Sequence, residues 1–200
     1  PLGNDIPSFI KKVKEGNYEE AYNILLETTV LQSVCGRICP HMKQCRGKCV
    51  RGIKGKPVEI GELEAFVGDM ATQNKWDIPK VGEMSGKKIA VIGGGPSGLT
   101  ASAFLRRKGY NVTIYEKYDK LGGLLSHGIP DFRLPRDILN KTIEKILNLG
   151  IDVKYNCSLG KDITLAELKN EYDAILLTIG ANVSAKMGIE GEDLEGVYGG

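Results

Sequence analysis

The sequence predicts an α/β chain: a Rossmann-like half-domain on a parallel sheet, preceded by a small all-α, cysteine-rich domain. Three observations predict it. From Lys87 onward, short apolar runs (KKIAVI, NVTIYEK, IDVKYNCSL, DAILLTIGA) alternate with helical periodicities, the order that gives parallel strands with right-handed crossovers. A glycine-rich turn, GGGPSG, joins the first run to its helix. Four of the five cysteines fall together ahead of that pattern, inside a segment that reads as helical. The expected division is 1–76 for the helical domain, 77–86 for a linker holding Pro79, Gly82 and Gly86, and 87–200 for the Rossmann-like domain.

Composition supports a folded chain. With 42% hydrophobic and 26% charged residues in 200, it has globular values rather than those of a disordered or fibrous protein. A net charge of +2 is too small for a general nucleic-acid or membrane binder. No apolar run approaches the ~20 residues of a membrane span, and PLGNDIPSFIKKVKEGN holds no signal-peptide core, so a cytoplasmic location is expected.

In chain order, DIPSFIKKVKEG and NYEEAYNILLETT read as short helices, the second capped by Asn17 with Glu20 in a capping-box position and a core face of Ala21, Ile24 and Leu25. IGELEAFVGDMATQNKW reads as a third, with Ile60, Leu63, Phe66, Val67 and Met70 on its inner side. Further on, Pro135 at a first helical position and Gly150 past the last turn bracket RDILNKTIEKILNL. Thr164 and Glu167 form a capping box for LAELKNEY, and DAILLTIGA reads as a buried strand.

Gly93-Gly94-Gly95-Pro96-Ser97-Gly98 matches G-x-G-x-x-G in the context that gives the motif weight, directly after a strand and opening a helix. Gly93 permits the tight turn, Gly95 lets backbone N–H groups approach a pyrophosphate, and Gly98 lets helix pack on strand. The helix N-terminus offers unpaired N–H groups and a positive dipole end. Glu116 ends the second strand, eighteen residues past Gly98 and followed by Lys117, where a carboxylate accepts from a ribose diol. FAD and NAD(P) share this cradle, and spacing favours FAD only modestly. Gly122 and Gly123, before Leu124, add a second glycine pair where backbone can approach a longer cofactor. Arg133 is suited to a phosphate or flavin oxygen, or is a plain surface arginine.

Cys35, Cys39, Cys45 and Cys49 read as metal ligands before disulfides in a chain without a secretory signal. Thiolates suit an iron–sulfur cluster, and Pro40 after Cys39 echoes ferredoxin loops. Seven basic residues and no acid lie between Cys35 and Lys56, which favours thiolates and an anionic cluster. Zinc and free thiols remain open readings. Cys157 reads as a small buried hydrophobe.

VCGRICPHMKQCRGKC, IGELEAF, VIGGGPSGLTAS, YEKYDKLGGLL, GIPDFRLP and LLTIGA, in that order, resemble the glutamate synthase small (β) subunit family. They are similar also to the flavin arm of dihydropyrimidine dehydrogenase and to NADH-dependent ferredoxin:NADP oxidoreductase. The resemblance implies a flavoprotein of glutathione-reductase-like architecture behind a helical iron–sulfur domain. NAD(P)H would reduce FAD, and electrons would leave through 4Fe–4S clusters to a large catalytic subunit or another acceptor. It implies FAD along Gly93 to Ser97, its ribose on Glu116, its flavin beside the loop to Leu124 and near Arg133, and its adenine beside Leu159. It implies that Cys49 serves one cluster, and that Cys39 and Cys45 serve another with Glu64, so that Cys35 need not be a ligand. An upstream cysteine group and an NAD(P)H domain are implied outside this sequence, which thus reads as a piece not expected to turn over alone. Two other classes compete: a nucleotide-binding module without redox turnover, and a zinc-dependent nucleic-acid binder lacking the interleaved aromatics that stacking needs.

Overall fold

A computed structural model describes residues 3–79, 82–181 and 184–198. Lys80 and Val81 of the expected linker lie outside the described residues.

The amino-terminal part is helical: α1 (Ile6–Lys14), α2 (Tyr18–Leu26), α3 (Gln32–Ile38) and α4 (Ile60–Gln73), with two 3₁₀ turns, His41–Lys43 and Val50–Ile53, between the last two. Asp5 caps α1 by accepting from the Ser8 amide. Asn17 stands at the N-cap of α2, but its side chain makes no capping bond, so the expected capping box does not form. α3 is an addition to the expected elements and carries Cys35. Its contact with α4 is close because the facing residues are small. A Cβ on Gly36 would lie 2.5 Å from the Gly61 carbonyl oxygen and the Ala65 amide, and one on Gly68 would lie 2.5 Å from Ser33 Oγ. That crossing sets the inner face of α4. Ile60, Glu64, Ala65, Val67 and Ala71 are buried, whereas Phe66, expected inside, is 40% exposed and packs edge-on against Tyr18. Arg37 of α3 holds Asp69 of α4 through two hydrogen bonds of 3.1 and 2.6 Å.

The second part is a four-stranded parallel sheet in the order β3-β2-β1-β4, from β1 (Lys88–Ile92), β2 (Asn111–Tyr115), β3 (Asp152–Lys154) and β4 (Ala174–Leu177). The helices are α5 (Pro96–Arg107), α6 (Leu124–His127), α7 (Arg136–Leu147) and α8 (Leu165–Glu171). Pro135 is the N-cap of α7 rather than its first residue. The Thr164–Glu167 capping box forms with both of its bonds. Alternation along β1 divides the sheet's faces. Ile89 and Val91 join the main core with Leu99, Ile114 and Leu139, while Ala90 and Ile92 join a smaller cluster with Tyr115 and Leu168. Cys157 packs beside that smaller cluster as an apolar residue.

The main core also runs through Phe9, Leu25, Leu26 and Val34, so one apolar cluster underlies helices and sheet alike. The described part of the 77–86 segment is docked: Ile78 is buried, Gly82 N donates to Arg107 O at 2.7 Å, and Ser85 N donates to Gly109 O at 3.0 Å. DAILLTIGA differs from its expected burial. β4 is an edge strand, and Leu176, Leu177 and Ile179 are exposed. The accessible surface of 12375 Å² exceeds the roughly 9,000 Å² of a compact monomer of this mass, in keeping with that open edge. Among the described residues, no helix is long and apolar enough to cross a membrane.

Candidate functional site

The glycine turn leaves β1 at Ile92 and enters α5 at Pro96. Gly93 adopts φ +104°, and a Cβ there would lie 2.5 Å from the Thr178 carbonyl oxygen at the end of β4. On Gly98 a Cβ would overlap the Gly93 carbonyl oxygen, and on Gly94 it would overlap the Leu121 side chain. Gly95 differs: the nearest atom to a Cβ there is Gly123 Cα at 3.9 Å. Three glycines are therefore required by the protein's own packing, while Gly95 has room beside it. No side chain caps the first turn of α5, whose N–H groups are therefore suited to an anion.

The loop is locked from three sides. Thr178 Oγ1 contacts the carbonyl oxygens of Ile92 (2.9 Å) and Gly93 (2.8 Å) as donor. Gly122 N donates to Gly94 O at 2.8 Å, bringing the second glycine pair onto the first. Glu116, only 4% exposed, accepts from Gly94 N at 2.8 Å through Oε2 and from Tyr118 N at 3.0 Å through Oε1. The strand-end carboxylate is thus part of the cradle, and each oxygen keeps a further lone pair. Lys117 is exposed, with its ammonium 4.7 Å from the Tyr118 ring, and the Tyr118 and His127 rings meet at a tilt of 48° with centroids 4.6 Å apart. Leu124, the first residue of α6, is 72% exposed. Leu159 forms an isolated bridge with Ile163 beside the smaller cluster.

Arg133 points to solvent, and a different arginine orders this loop. Arg136 donates to the carbonyls of Leu125 and Ile129, both at 2.6 Å, and its amide donates to Asp131. Its place at the start of α7 was the available signal, since an arginine there can reach back across a Gly/Pro loop.

The cysteines divide. α3 carries Cys35 and ends at Cys39, and the α3–α4 crossing brings Glu64 against them. Glu64 is buried, and burial with the nearby Cys39 raises its carboxyl to about 7. Cys35 and Cys39 share a hydrogen bond that holds the proton on Cys35. That bond, assisted by His41 and opposed by burial, draws Cys39 down to about 6, while the Cys35 thiol is pushed strongly up. Burial pushes Cys45 up, with Glu64 and Cys39 adding to it. These four groups feel one another's charge. Cys49 stands apart, lowered by the Val58 amide at 3.5 Å and by backbone of Arg51 and Gly52. Among the described residues, no three His, Cys, Asp or Glu side chains are arranged to hold a metal ion. A single zinc would need four such donors closed to a tetrahedron, whereas a cubane places each thiolate on a different iron and needs a wider set.

Comparison with known proteins matches two stretches of the chain. Residues 1–76 match the family model for dihydropyrimidine dehydrogenase domain II, 4Fe–4S cluster, and residues 91–136 match an NAD(P)-binding Rossmann-like domain. The chain is 36% identical over 199 residues to the glutamate synthase (NADPH) small chain of Escherichia coli, covering 99% of this chain and 42% of that one. It is similar also to the NAD-dependent dihydropyrimidine dehydrogenase subunit PreT of Salmonella typhimurium, 41% identical over 180 residues, covering 90% of this chain and 44% of the relative. The chain therefore spans less than half the length of these relatives. Among solved structures, Mycobacterium tuberculosis FprA in complex with NADPH matches 56% of this chain and 26% of its own, at 26% identity and a TM-score of 0.51.

Proposed function

We propose that this chain is the FAD-cradling and iron–sulfur portion of an NAD(P)H-dependent, cytoplasmic electron-transfer subunit whose electrons pass to a partner protein. The observation that carries the reading is the cradle: an uncapped helix N-terminus behind a turn in which three glycines are demanded by packing and Gly95 alone has space beside it. FAD, when bound, supplies the exchange between two-electron hydride chemistry and one-electron transfer. The chain's own part is binding and orientation. Backbone amides from Gly95 to Gly98 face the pyrophosphate, and Glu116 holds that turn while offering its remaining lone pairs to the ribose. Gly122, Gly123 and Leu124 line the flavin side, with Lys117, Arg133 and Leu159 at the margins.

The donor chemistry of the cysteine loop fits an iron–sulfur cluster: Cys39, Cys45 and Glu64 toward one cluster, Cys49 toward another, and Cys35 as the thiol that donates to Cys39. Glutamate synthesis is the reading favoured within this class, with a large catalytic subunit as partner. The similarity to PreT makes pyrimidine reduction the second.

The test is iron, sulfide and flavin content after anaerobic purification, repeated with Glu116→Gln. Flavin in the parent, lost at least tenfold from a folded Glu116→Gln, is expected. Flavin absent from the parent, or retained equally by the variant, overturns the cradle assignment.

A further inference from the structure

We propose that Arg136 is a positioning residue for the cofactor, setting through α6 the width of the gap at Gly95 where, on the reading above, the FAD pyrophosphate lies. That gap has a backbone wall. The nearest atom to a Cβ on Gly95 is Gly123 Cα at 3.9 Å, and a Cβ on Gly123 would lie 2.9 Å from Gly95 Cα. The two glycine turns thus face each other across a space that one methyl group closes. Gly123, at φ +52°, is also the N-cap of α6, so the wall moves with that helix.

α6 is a single turn of four residues, too short to keep a place of its own. Its start is tied to the first glycine turn by the bond from Gly122 N to Gly94 O. Its end is tied by Arg136. The closing carbonyls of a helix lack donors within it. Arg136 Nη1 supplies one to Leu125 O, and Nη2 donates to Ile129 O just past the turn, both at 2.6 Å. The planar fork of a guanidinium holds two such acceptors in fixed relation. Asp131 Oδ1 accepts from the Arg136 amide at 2.9 Å and closes the loop on the same residue. Among the described residues, no carboxylate lies within ion-pair distance of this half-buried guanidinium. Neither side-chain bond returns to α7, so the residue serves the loop rather than its own helix. A loop fixed in this way takes up a cofactor without a further cost in chain ordering.

The experiment compares the parent with Arg136→Met, Arg136→Lys and Lys141→Met, the last an exposed cation of α7 that serves as control. Trypsin cleavage after Arg133 in the cofactor-free chain, followed by mass spectrometry, reports the order of the loop. FAD titration gives a dissociation constant and the position of the bound flavin's visible absorption band. Arg136→Met should be cut about tenfold faster than the parent and bind FAD about tenfold more weakly, with a displaced band. Arg136→Lys, which keeps a charged donor, should recover the band and part of the affinity, and Lys141→Met should match the parent. Arg136→Gln keeps one neutral donor and carries the same comparison if Arg136→Met does not fold. Unchanged cleavage, or faster cleavage with the parent's affinity and band, overturns the proposal. So does weaker binding with the parent's band and no recovery in Arg136→Lys, which makes the arginine a structural prop. A parent that takes up no FAD sinks the cradle reading and this role with it. A parent that takes up FAD no better than Arg136→Met sinks this role alone.

Discussion

Arg107, at the end of the helix that opens on the glycine turn, donates from Nη1 to the carbonyl oxygen of Leu26 at 2.5 Å, joining residues 81 apart in sequence. Arg107 is 5% exposed, and its Nη2 also lies 3.6 Å from Glu27. The cradle helix is therefore bolted to the end of α2. Arg107→Met removes a charged donor and leaves a buried carbonyl unpaired, at a cost of about 2–3 kcal/mol. Urea unfolding measures it, and a loss under about 0.5 kcal/mol would show that the bolt contributes nothing.

Gly95 and Gly98 should separate binding from folding. Gly98→Ala forces a methyl into the Gly93 carbonyl and should destabilise by about 1–3 kcal/mol. Gly95→Ala meets nothing closer than 3.9 Å and should leave the unfolding midpoint unchanged while reducing flavin retention. Equal effects of the two substitutions on stability would contradict the geometry.

Gly36→Ala tests the helix crossing that delivers Glu64. The added methyl meets backbone of Gly61 and Ala65, so α3 and α4 must part. A loss of about 1–3 kcal/mol is expected, together with lower iron incorporation during reconstitution. Iron content equal to that of the parent would show that the close crossing does not position the donors.

Lys145 gives a pH dependence of definite sign. Burial, opposed by the nearby Asp77, lowers it from 10.5 to about 8, and its ammonium lies 5.1 Å from the Tyr22 ring across the seam between α7 and α2. Between about pH 8 and 10.5 the unfolded chain binds the extra proton, so this group's contribution to stability rises with pH. The stability difference between Lys145→Met and the parent should shift in the parent's favour across that window. Parallel pH–stability curves for the two proteins would remove Lys145 as the cause.

Much of this was legible because it is local. The glycine motif and the Thr164–Glu167 box depend on neighbouring residues, and the parallel sheet follows from the alternation of strands and helices; each appears as expected. What escaped depends on partners distant in sequence. α3 has few apolar positions because its contact surface is Ser33 and Gly36, and small residues leave no hydrophobic periodicity to read. The same crossing turns Phe66 outward although the apolar count of α4 places it inside. Arg136 outranks Arg133 only because the loop folds back over the start of α7. Cys35 and Cys49 look equivalent as spacing, and only the fold puts the first beside Glu64 and leaves the second at the surface.

The bare flank of β4 has a practical corollary for handling. A strand that pairs on one side only among the described residues, with Leu176 and Leu177 standing on it, is a template on which a second copy can lay its own strand. Concentrated preparations of this chain should self-associate side by side, and a lysine placed at Leu177 should keep them dispersed.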